Sequence, residues 1–205
     1  MSAVSPTMAL IGTAVVAAVI TGCTAAPSPD GHPAPAPTGI IGPGNSAEAN
    51  SPGDIPDNQV FVVFTAPDRS YTIKYPEGWT RTDQGPTVVF GDTLNSITIA
   101  PHNGFYNPTE DYARTAELPQ IATQTPGYAP GQVSIVQRPA GPVVLITYQQ
   151  DSAPNPVTTK TVRQQVERYE YTRLGHGVIV TLSAPVSSDT TDPWRIVTDS
   201  FTWLR

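Results

Sequence analysis

The chain has 205 residues, room for one domain with a substantial core and a remainder outside it. Charged residues make up only 14% of it and the formal net charge is −6, which excludes the basic footprint of a nucleic-acid-binding protein. A single cysteine excludes an intramolecular disulfide and a cysteine-based zinc cluster.

Met8 to Ile20 is a run of thirteen uncharged residues, the length of a signal-peptide apolar segment and too short to span a bilayer as a helix. Ile20-Thr21-Gly22-Cys23 follows, and this resembles the bacterial lipobox. The resemblance implies a signal peptide over residues 1–22, cleavage after Gly22, and a diacylglycerol thioether on Cys23. The membrane is then a partner through the lipid anchor, at the outer face of the cytoplasmic membrane. Met1 to Thr7 departs from the pattern, having no Lys or Arg. The alternative is an ordinary signal or short anchor with Cys23 a free thiol.

Residues 24–58 carry eight prolines, four acids and no Lys or Arg, without apolar periodicity. Such a segment cannot offset its ordering entropy by burial, so residues 23–58 are expected to be a disordered tether. The folded domain is expected over 59–205. Eleven basic and thirteen acidic residues fall there, a balance of −2, so most of the acidity lies outside the domain.

In chain order, Gln59 to Ala66, Tyr71 to Tyr75, Thr87 to Phe90 and Asn95 to Ala100 alternate or concentrate β-branched and aromatic residues, as strands do. Asn107-Pro108-Thr109-Glu110 predicts a helix start capped by Asn107, with Tyr112, Ala113 and Ala116 inward and Pro119 kinking or ending it. Gln132 to Gln137 and Val143 to Gln149 read as strands around a turn-rich 138–142. Lys160 to Arg173 reads as a strand, with a helix near Val162 to Arg168 as the alternative. Val178 to Ser183 returns after the turn Leu174-Gly175-His176-Gly177. Asp192-Pro193 starts a terminal helix with Trp194, Val197 and Phe201 on one face. Trp203 and Leu204 are expected to dock the chain end. The fold class is α+β with a largely antiparallel sheet.

Tyr71-Thr-Ile-Lys-Tyr-Pro-Glu-Gly-Trp79, Val88-Val89-Phe90, Asn95-Ser-Ile-Thr98 and Glu110-Asp111-Tyr112 resemble the PsbP-like domain, and the late hairpin and Ser200-Phe201 continue the likeness. That fold, an α/β/α sandwich, is shared with a Ran-binding import factor of eukaryotes and with LpqN-type actinobacterial lipoproteins. The resemblance implies a protein-binding domain without a common catalytic centre. From the residues themselves, Trp79, Trp194 and Trp203 are expected as core anchors.

The chain has no nucleophile elbow, zinc-binding helix motif or phosphate-binding glycine loop. His32 lies in the tether, and His102 and His176 sit in expected turns, where a solvated role is the ordinary one. No cofactor is implied. Lys160, Arg163, Arg168 and Arg173 form the one basic stretch, a candidate binding surface, although strand alternation would split them between faces and Glu167 and Glu170 dilute the charge. The expected function is a non-enzymatic protein-binding or scaffolding module of the cell envelope with an envelope protein as partner. The alternatives are a small-molecule or lipid-binding lipoprotein accessory to a transporter, and a cell-envelope hydrolase using His102 or His176.

Overall fold

Alternation of buried and exposed positions marks most of the ten strands among the described residues. The structure is a computed structural model and describes residues 51–204; Gly22, Cys23 and His32 lie outside the described residues. Strands β3 (Thr80–Gln84), β4 (Thr87–Gly91), β5 (Ser96–His102), β6 (Ala129–Arg138), β7 (Gly141–Asp151), β8 (Arg163–Arg173) and β9 (His176–Pro185) form a sheet of order β3-β4-β5-β9-β8-β7-β6, antiparallel throughout. A smaller sheet of order β1-β2-β10 contains β1 (Phe61–Thr65), β2 (Tyr71–Pro76) and β10 (Thr202–Trp203).

The two faces of the large sheet bury different things. One carries Phe90, Ile97, Ile99, Val180, Leu182, Tyr169 and Tyr171 into the main core, where they meet Ile73 and Tyr71 of the small sheet and Trp194, Val197 and Phe201. Trp194 and Val197 belong to helix α3 (Thr191–Asp199), and the expected inner face of that helix is buried as the spacing required. Phe201 stacks on Tyr171 at 4.0 Å and on Tyr71 at 5.4 Å, tying the end of the chain to both sheets. The opposite face of the large sheet is covered in part by a helical segment: α1 (Glu110–Tyr112), a widened π-type turn (Ala113–Glu117) and α2 (Leu118–Gln124). One outer layer is thus helical, and the other is shared between α3 and the small sheet.

Several expectations shift. The helix is capped by the Thr109 side chain, which accepts from Tyr112 N–H at 3.1 Å, and not by Asn107. Ala113 faces inward as expected, but Tyr112 and Ala116 are exposed and Glu117 takes the second inner place. The π-type turn rotates the later residues relative to a 3.6-residue period. Pro119 does not end the helix, because the turn leaves it at the start of α2, where its missing N–H is not required. Residues 160–173 contain the strand β8, and the helical alternative falls. The 138–142 connection shrinks to Pro139-Ala140, since Arg138 already pairs with Gly141.

The domain starts before Gln59. Ser188 Oγ donates to Pro52 C=O at 3.0 Å, Asp189 N–H donates to the Asp54 carboxylate at 2.9 Å, and Ile55 is buried. Residues 51–58, expected in the tether, are therefore part of the folded unit, held by side-chain and backbone hydrogen bonds that composition does not reveal. Of the tryptophans, Trp194 is deeply buried, whereas Trp79 and Trp203 are half-buried against the core and Leu204 is exposed.

Candidate functional site

The end of the sheet where β5 stops and β8 turns into β9 gathers both surface and buried chemistry. The turn is Leu174-Gly175, with φ of 51° and 80°, a two-residue connection whose twist matches the strands. A leucine in that conformation is disfavoured by about 1–2 kcal/mol. Leu174 is nevertheless 88% exposed, and Phe105 is 82% exposed while its ring lies over Gly175. Tyr106 straps the same place from below: its N–H donates to Gly175 C=O at 2.7 Å, and its ring occupies the space that a Cβ on Gly177 would need.

A cleft of about 420 Å³ opens beside this turn, lined by Asp68, Ser70, His102, Arg173, His176 and Trp203. The structure thus places both His102 and His176 in one cleft, where the hydrolase alternative needed either of them beside a carboxylate and a hydroxyl. Beside them Ser70 Oγ donates to the Asp68 carboxylate at 2.7 Å. His102 stacks on Tyr106 at 4.0 Å. No described carboxylate forms an ion pair with Arg173.

Tyr106 also leads inward. Its hydroxyl donates to Glu117 Oε1 at 2.9 Å, and Arg168 Nε donates to Glu170 Oε1 at 2.8 Å. Arg168 stands 3.8 Å from Glu117, so one guanidinium serves two carboxyls in the layer between the helical segment and the large sheet. Burial pushes the Glu170 carboxyl up to about 7; Arg168 opposes this and Glu117, within hydrogen-bonding reach, adds to it. Burial, and then the charges of Glu170 and Glu117, also push the Tyr106 hydroxyl far above its ordinary value. Arg168 is held above its ordinary value although burial acts against it, because Glu170 and Glu117 outweigh that penalty. Glu117 Oε2 and Glu170 Oε2 are both buried without a partner among the described residues. Burial thus favours the protonated form of Glu170 in this pocket.

The basic stretch does not form a single surface. Lys160 is exposed at the rim of another cleft, and Arg163 pairs with Asp151 at 3.2 Å and donates to Gly127 C=O. Arg168 turns inward to the carboxyls, and only Arg173 reaches the exposed turn. Alternation along β8 and the ten-residue span separate them, and β8 is central in the sheet. Tyr106, Glu117 and Glu170 were missed as a group. The available signals were weak: Glu170 sits among Tyr169 and Tyr171, and Glu117 follows Ala113 by one helical turn.

No protein-family model and no curated protein sequence matches the chain. Solved structures do match. CyanoP, the cyanobacterial PsbP of Synechocystis sp. PCC 6803, is similar with a TM-score of 0.50 at 14% identity, over 74% of this chain and 98% of that one. A protein from Bacteroides thetaiotaomicron VPI-5482 is similar with a TM-score of 0.50 at 12% identity, over 70% of this chain, which spans about half (48%) of that protein's length. At these identities the likeness is one of fold, and with the antiparallel sheets and few helices above it gives the described residues a PsbP-like α+β fold.

Proposed function

We propose that the protein is a lipid-anchored, non-enzymatic binding module of the cell envelope, held at the outer face of the cytoplasmic membrane through Cys23 and engaging another envelope protein. The observation that carries the binding part is the exposed pair Phe105 and Leu174, 82% and 88% accessible at the tip of a rigid hairpin. A solvent-facing aromatic beside a leucine where the turn would favour glycine or asparagine puts two large apolar side chains into water, and exposed apolar patches mark interaction sites. Arg173, unpaired with any described carboxylate, flanks the tip and favours a partner whose apolar patch is bordered by acids. The lipobox resemblance at Ile20-Thr21-Gly22-Cys23 supports the anchor.

The test is photo-crosslinking in intact cells from a crosslinker placed at Leu174 of the full chain. The expected result is one or a few envelope proteins, lost in Phe105→Ser and reduced in Cys23→Ala. Enrichment of no envelope protein over the Cys23→Ala control overturns the reading.

A further inference from the structure

At the opposite end of β8 from the Leu174 tip, nine residues and roughly 30 Å along the strand, buried polar side chains line a second cleft of about 410 Å³. Its floor lies on the uncovered part of the large sheet and holds two cross-strand pairs, Ser96 opposite Ser183 and Gln150 opposite Gln164, offset from each other by two positions across β8 and β9. Asn95, Gln164 and Ser183 are each more than nine-tenths buried. Sheet faces normally bury apolar residues, so a concentration of neutral amides and hydroxyls in a concavity calls for a reason.

The orientation of these groups is fixed. The Leu94 carbonyl can only accept, so Gln164 Nε2 must face it, at 3.2 Å. Gln164 Oε1 then accepts from Gln150 Nε2, also at 3.2 Å, which leaves Gln150 Oε1 as an acceptor. The Asp92 carboxylate accepts from Asn95 Nδ2 at 2.9 Å, so Asn95 presents Oδ1, and that buried oxygen has no donor among the described residues. Asp92 is itself held by the N–H groups of Leu94 and Asn95, at 2.7 Å each. Ser96 and Ser183 hydroxyls are hydrogen-bonded at 2.7 Å, and the one that accepts keeps a free proton. Lys160 stands on the rim. The wall therefore offers oriented acceptors beside a hydroxyl donor, almost all from uncharged groups, in a volume within the range of small-molecule sites.

We propose that this cleft binds a monosaccharide-sized polyol, whose hydroxyls, each donor and acceptor at once, complete the hydrogen bonding of the two amide and hydroxyl pairs. Lys160 at the rim adds affinity for a sugar carrying a carboxylate. The locked amides need little reordering on binding, which favours a specific, millimolar site of modest size.

The experiment is NMR of the full chain labelled with nitrogen-15, following the side-chain amides of Asn95, Gln150 and Gln164 while D-glucose, N-acetyl-D-glucosamine and D-glucuronate are added separately. The expected result is a saturable shift of these amides by at least one sugar, abolished in Gln164→Leu and in Gln150→Ala. With glucuronate, Lys160→Ala is expected to weaken binding about five- to tenfold. The second floor variant, Gln150→Ala, keeps the test valid should Gln164→Leu fold poorly, since Gln150 is only half-buried. If none of the three sugars shifts these amides at about 50 mM, well above a millimolar Kd, the proposal is overturned. It is equally overturned if both floor variants bind as the parent does.

Discussion

Glu117 on the π-type turn and Glu170 on β8 both approach the Arg168 guanidinium, at 3.8 Å and 2.8 Å, and each keeps one buried oxygen without a hydrogen-bond partner among the described residues. Burial favours the protonated form of Glu170; Arg168 acts against it and Glu117 adds to it. The folded-state value, about 7, lies above the ordinary 4.5, so the folded chain binds more protons than the unfolded chain between those values. Stability contributed by this group is therefore complete below about 4.5, falls as pH rises through the window, and is level above about 7. The fall is on the order of 3 kcal/mol. Urea unfolding between pH 4.5 and 8 checks it, and Glu170→Gln, which keeps a neutral donor, should flatten the profile. A stability that rises through this window in the parent would contradict a protonated Glu170.

Tyr106→Phe removes the hydroxyl that reaches Glu117 and leaves the buried carboxylate short of a donor. The expected loss is about 1–3 kcal/mol, read as a lower unfolding midpoint. Gly177→Ala should do comparable harm by another route, since its methyl would displace the Tyr106 ring.

The tip makes the opposite prediction. Leu174→Gly relieves a left-handed leucine and should leave stability unchanged or raise it by up to about 1 kcal/mol. Phe105→Ser should change stability by no more than about 0.5 kcal/mol, as exposed positions do. Both should diminish partner crosslinking, so function and stability separate at these two residues.

Trp194, 3% exposed in the main core, and Trp79, half-buried at its margin, rank differently although the sequence gives them equal weight. Trp194→Ala should destabilise by about 3–5 kcal/mol, and Trp79→Ala by clearly less. Chemical denaturation of the two variants side by side measures the order.

Most strands were legible because one of their faces is buried: Tyr71, Ile73 and Tyr75 on β2, or Ile97 and Ile99 on β5, show the period directly. β3 was not, since Thr80-Arg-Thr-Asp-Gln84 is exposed at every position and has no hydrophobic period to read. The attachment of residues 51–58 was hidden for a related reason, resting on the pairs Pro52–Ser188 and Asp54–Asp189, whose members lie far apart in the chain. The Glu117–Glu170 pair was illegible because its meaning lies in a contact between a helical turn and a strand 53 positions later. His102 and His176 were visible as residues but not as neighbours; the register that sets His102 against Gly177 does that.

The two edges of the large sheet are unlike each other. β3 is a five-residue strand carrying Arg81 and Asp83, and β6 carries Pro130 and a register shift between Pro130 and Val133. Neither edge presents a long, regular row of N–H groups to a second copy. At high local density these two edges therefore offer a poor backbone template for pairing with a second copy.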